Sequence, residues 1–70
     1  MDKDFVNKFG KNLKLIRKAK GLTQDDFDCD RISRSMISLL EIGRTDITLT
    51  KLKAIADILN VSVKDLFDFE

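Results

Sequence analysis

The side chains able to do chemistry in this chain are almost all charged or hydroxyl-bearing. Its 70 residues hold 13 Lys and Arg, 12 Asp and Glu, one cysteine (Cys29) and no histidine. Without histidine, and with no nucleophile set beside a base, nothing marks the chain as an enzyme. A structural zinc site would lack its usual nitrogen and sulfur ligands, so no metal is expected. Glycine occurs only at Gly10, Gly21 and Gly43, with no glycine-rich phosphate loop, and no cofactor or small-molecule effector is expected. What remains is charge and its placement. Residues 1–20 carry +5, residues 21–45 carry −2 and residues 46–70 carry −2. A basic first segment permits an anionic partner, and is equally compatible with a solvated basic helix face.

These groups have to be positioned by helices. Proline is absent, and neither tyrosine, tryptophan nor an Asn-Gly or Asp-Gly turn supports a hairpin, so the chain reads as all-α. A helix-start pattern recurs four times: a hydroxyl N-cap flanked by apolar residues at staple spacing. The caps are Thr23 (with Asp26), Ser33, Thr48 and Ser62 (with Asp65), each worth about 1 kcal/mol relative to alanine. Five helices are predicted: Asp4 to Lys20, closed by Gly21; Thr23 to Cys29; Ser33 to Ile42, ended by Gly43; Thr48 to Leu59; and Ser62 to Phe67. The first should turn Phe5, Phe9, Leu13 and Ile16 inward with Val6 beside them. The fourth should bury Leu52, Ile55, Ala56 and Leu59. Residues 1–70 are expected to form one small domain. No apolar run is long enough for a membrane span or a signal peptide, which points to a cytoplasmic protein.

The second and third helices are separated by Asp30-Arg31-Ile32, the spacing of a helix-turn-helix. Spacing alone leaves two readings open, a DNA-binding unit and a plain αα-corner.

At Leu15-Ile16-Arg17-Lys18-Ala19-Lys20-Gly21-Leu22-Thr23-Gln24 the chain resembles the Xre/Cro and phage-repressor helix-turn-helix family. The likeness continues through Ile32-Ser33-Arg34-Ser35-Met36-Ile37-Ser38 and Leu40-Glu41-Ile42-Gly43-Arg44. It closes on Leu49, Leu52, Ile55, Ala56, Leu59, Val61-Ser62-Val63 and Asp65-Leu66. In size the chain is similar to restriction–modification controller proteins and small phage repressors. The resemblance implies a five-helix repressor-like domain that binds double-stranded DNA as a transcriptional regulator.

It also implies roles. Arg34, Ser35, Ser38 and Leu39 would reach base edges in the major groove. Arginine there can read guanine O6 and N7 together. Gln24, Ser33, Arg44, Thr48 and Lys51 would meet phosphates, although each also makes an ordinary exposed or capping residue. Glu41 would pair with Arg17 in a buried structural ion pair. Met36, Ile37 and Leu40 read as core or near-core.

The motif departs from the family in three places. From Gln24 to Arg34 it is one residue short, its turn lacks glycine, and Asp28 stands where the family has alanine. Either the second helix ends early and Asp28 turns outward, or Arg31 pairs with it. Ile42 replaces a polar residue and should add apolar surface. Cys29 is expected to be a small, partly buried hydrophobe.

Val63, Leu66, Phe67 and Phe69 exceed what a short last helix needs to dock, so they are the expected interface of a homodimer on an inverted-repeat operator. The alternative is a protein-interaction module or antitoxin-like subunit on the same fold, with weak or no DNA binding of its own; the acidic second helix is its main support.

Overall fold

A computed structural model describes residues 1–29 and 32–69. Four α-helices and one 3₁₀ turn follow in order: α1 Lys3–Ala19, η1 Gln24–Phe27, α2 Arg34–Glu41, α3 Leu49–Leu59 and α4 Val63–Leu66. The described residues contain no strand. The expected turn residues Asp30 and Arg31, and with them the suggested Arg31 to Asp28 pair, lie outside the described residues.

α2, α3 and α4 begin where their hydroxyl caps predict, while α1 starts at Lys3, one residue before the predicted Asp4, capped by the Asp2 carboxylate, which accepts from Phe5 N–H at 3.1 Å. Ser33 Oγ accepts from Met36 N–H at 3.1 Å, Thr48 Oγ1 from Lys51 N–H at 3.3 Å and Ser62 Oγ from Asp65 N–H at 3.2 Å. At Thr23 the bond runs the other way, with the Asp26 carboxylate accepting from Thr23 N–H at 2.7 Å. These bonds satisfy donors that a helix start leaves open. Past the ends of α1 and α2, Gly21 and Gly43 take left-handed backbone, φ 72° and 73°. The following amides then bond back, Leu22 N–H to Arg17 O and Arg44 N–H to Leu39 O, so both helices close with the same motif.

The second predicted helix is shorter and tighter than its sequence pattern suggests. It is a single 3₁₀ turn ending at Phe27, and Asp28 is already extended, φ −71° and ψ 107°. Phe27 is completely buried while Asp28 is exposed. Ending the turn there keeps an ionised carboxylate in water instead of against α2, where its desolvation would be costly. Cys29, expected to be partly buried, is exposed for the same reason, since it follows the terminated turn.

One core joins all the elements: Phe9, Leu13, Phe27, Ile37, Leu40, Ile55, Leu59 and Leu66 are at its centre. The inward stripe of α1 is Val6, Phe9, Gly10, Leu13 and Arg17. Phe5, expected on that stripe, lies on its flank and is 48% exposed, because Val6 takes the inward position. Ile16 is only partly buried. The inward residues predicted for α3 are all buried, with Ala54 added. The close crossing of α1 and α2 depends on Gly10. A Cβ there would sit 2.1 Å from the Leu40 carbonyl oxygen.

Candidate nucleic-acid interface

The candidate interface is built outward from a buried ion pair. Arg17 on α1 and Glu41 at the end of α2 meet in a two-pronged contact. Nε donates to Oε2 at 2.6 Å and Nη2 to Oε1 at 3.0 Å. The third arm of the guanidinium, Nη1, donates to the Leu22 carbonyl at 2.9 Å. Both residues are buried. Hydrogen bonding to Glu41 pushes the Arg17 guanidinium up from its ordinary value, against the opposing effect of burial. It therefore stays charged at any pH where the fold exists. No buried side-chain nitrogen or oxygen among the described residues lacks a partner, so the charges are fully met. The pair predicted between these two positions is present.

Glu41 Oε1 also accepts from Gln24 Nε2, at 3.1 Å. One carboxylate thus ties α1, η1 and α2 together and orients the first side chain of η1. Sequence reasoning assigned the Gln24 amide only to phosphate. The structure gives one of its two N–H groups to Glu41, and among the described residues the other N–H and the amide oxygen have no partner.

Gln24, Arg34, Ser35, Ser38 and Leu39 line one open depression of about 380 Å³. These are the four residues expected to reach bases, together with one expected to reach phosphate. Arg34 and Ser35 form the first turn of α2, with the free N–H groups and positive dipole end of the helix beside them. Leu39 is 43% exposed, an apolar side chain in an otherwise polar hollow. The surface therefore combines a fork of donors, two adaptable hydroxyls, one amide and one apolar contact.

The other expected phosphate ligands lie elsewhere on the surface. Ser33 and Thr48 serve first as N-caps, as described above, and both remain exposed. Arg44 is exposed and borders a second open hollow with Met1, Lys3, Asn7, Ile42 and Gly43. Lys51 is partly buried on α3. Ile42 is exposed, the added apolar surface its position predicted.

Two contacts on the surface join residues that no short-range spacing pairs. The Asp25 carboxylate on η1 lies 3.4 Å from Arg34 Nε, and both side chains are well exposed. Nine positions separate them, so no helical spacing foretells the contact. The second is aromatic and lies near the chain's last helix. Phe67 stacks on Phe5 with centroids 5.9 Å apart and tilts against Phe9 at 5.1 Å, and Phe69 approaches Phe5 at 5.7 Å. Of the four residues expected at a subunit interface, Leu66 is fully buried in the chain's own core and cannot present itself to a partner. Val63 and Phe69 pack partly against that core, and Phe67 is 36% exposed.

Comparisons with known proteins agree with this geometry. A family profile described as helix-turn-helix matches residues 13–66, most of the chain. The restriction-modification controller protein C.AhdI from Aeromonas hydrophila is 29% identical with a TM-score of 0.87, over 96% of this chain and all of that one. The clp gene regulator ClgR from C. glutamicum is 28% identical with a TM-score of 0.79, over 89% of this chain and 82% of that one. The DNA-binding domain of BldD is 25% identical with a TM-score of 0.81, over 94% of this chain and 97% of that one. No curated protein sequence is significantly similar to the chain. Among the described residues, no helix is long and apolar enough to cross a membrane. With its helix-turn-helix held by Arg17 and Glu41, the chain belongs to the Xre-type helix-turn-helix family of DNA-binding transcription regulators.

Proposed function

We propose that this protein is a sequence-specific transcriptional regulator that binds a short inverted-repeat operator as a homodimer. The observation that carries the reading is the shared hollow of Gln24, Arg34, Ser35, Ser38 and Leu39 at the start of α2. A helix of eight residues is about 12 Å long and touches only a few base pairs. The chain itself measures 27 × 20 × 19 Å, less than the roughly 34 Å between equivalent half-sites one DNA turn apart. Genome-level selectivity therefore calls for two copies. The exposed rings of Phe67 and Phe5, with the partly buried Phe69 beside them, offer apolar area for a two-fold contact, to which the partly buried Val63 would add. In this reading α2 enters the major groove with Arg34 on a guanine, while Gln24, Ser33, Arg44, Thr48 and Lys51 meet the phosphates.

One observation favours a second reading, an interaction module with little DNA binding. Asp25 and Asp26 are exposed on η1, and Asp25 contacts the candidate base-reading arginine. Selection from random duplex DNA at physiological salt, followed by sequencing of the bound pool, separates the two. An enriched inverted repeat with half-sites about one turn apart is the expected outcome. A pool without enrichment, bound only weakly and in a salt-sensitive way, would overturn the regulator reading.

A further inference from the structure

We propose that Asp25 is a specificity-determining residue of this surface, one that positions Arg34 for guanine and withholds it from phosphate. The inference deepens the operator-reading proposal and rests on it. Asp25 Oδ1 stands on the Nε side of the Arg34 guanidinium, 3.4 Å away. An ion pair made through Nε leaves the terminal Nη1 and Nη2 as two further donors of the planar guanidinium. Two parallel donors match the O6 and N7 acceptors of guanine. Adenine offers an amino group in place of one acceptor and is rejected.

The position of the carboxylate matters as much as its geometry. Arg34 is the first residue of α2, at a helix end that attracts any phosphate. An arginine free to swing there would bind backbone as readily as base, and backbone contacts carry no sequence information. Asp25 opposes this twice. It draws the side chain to one side as an ion pair at 3.4 Å, and it sets a negative charge against the polyanion wherever Arg34 is not matched to a base. Asp25 is not needed for the local fold. The cap of η1 is made by Asp26, and Asp25 is largely exposed. The contact is weak in the free protein, as exposed pairs are, and strengthens when the interface excludes water.

The test is the same random-duplex selection carried out with wild type, Asp25→Ala, Arg34→Ala and the double variant, with thermal melting confirming that all four are folded. Wild type should enrich a guanine at one fixed position of each half-site. Arg34→Ala should erase that preference. Asp25→Ala should weaken it about two- to fivefold while other positions keep their preference, and should bind random duplex more tightly. In the Arg34→Ala background, removal of Asp25 should change the base preference no further. Loss confined to one base position is a readout that a merely structural role would not produce. If Arg34→Ala erases the guanine but Asp25→Ala retains it at wild-type strength, the role of Asp25 is refuted and the operator reading stands. If Arg34→Ala leaves the wild-type pool intact, or wild type enriches nothing, the operator reading itself fails and this inference falls with it.

Discussion

Arg17 and Glu41 show how one pair of side chains can join three elements and orient a third side chain, the Gln24 amide. Their charges are buried, so each is tolerated only because the other is there. Arg17→Ala should destabilise the chain by about 3–5 kcal/mol, a large share of what a domain of this size possesses. Glu41→Gln should be costly as well, because it leaves the guanidinium without its counter-charge. Denaturant titration of both variants checks this, and replacement of both partners by apolar residues of similar volume should recover much of the loss. The surface arginines behave differently. Arg44→Ala should leave stability unchanged, weaken binding to every DNA sequence alike, and lower the slope of log affinity against log salt by about 1. Affinity measured over a salt series, on the selected repeat and on random duplex, would show it. A loss confined to the repeat would move Arg44 from phosphate contact to base reading.

Helices this short owe their limits to their ends. α2 is bounded by the Ser33 cap and by Gly43, whose φ of 73° suits no side chain well. A Cβ at Gly43 would also come within 3.0 Å of the Asn7 Cα on α1. Gly43→Ala should therefore cost about 1–2 kcal/mol for the backbone and more for the contact. Gly10→Ala presses harder, since its Cβ would meet the backbone carbonyl of Leu40 and not a side chain that can yield. The expected result is a loss of about 3 kcal/mol or more, with α1 and α2 forced apart. Because Arg34 and Ser38 ride on α2, DNA affinity should fall even where the variant is still folded. Thermal melts with binding measured well below the midpoint separate the two effects. If Gly10→Ala melted like wild type, the close crossing would be wrong.

At the scale of the whole molecule, an aromatic surface lies beside the last helix. Phe5 and Phe67 are stacked yet exposed, and Leu49 nearby at the start of α3 is 83% exposed. Together with Phe9, Leu40, Ile47 and Leu52 they border an open groove of about 310 Å³. On the homodimer proposal, Phe67→Ser should shift sedimentation toward the monomer with little change in far-ultraviolet circular dichroism. It should also weaken binding to the full repeat far more than to a single half-site. Wild-type protein that sediments as a monomer up to high micromolar concentration would place the aromatic cluster outside any self-association.

Much of this was legible in the residues alone. Hydroxyl caps, left-handed glycines and the 3.6-residue spacing of apolar side chains each act within a few positions, so the starts of α2, α3 and α4 and the ends of α1 and α2 can be read locally. The Arg17 and Glu41 pair was legible only through the resemblance to the family, because 24 residues separate its partners. Three-dimensional packing settled the rest. Whether Phe5 or Val6 faces inward depends on how α1 lies against α2. Leu66 is enclosed because α4 packs on α1 and α3, while Phe67 beside it is left at the surface. The second helix stops after one turn because Phe27 must reach the core without dragging Asp28 along. The approach of Asp25 to Arg34 exists only because two separate elements end side by side. Local propensity and capping select elements one at a time; burial and charge pairing depend on what another part of the chain brings near, and no short stretch of sequence holds that information.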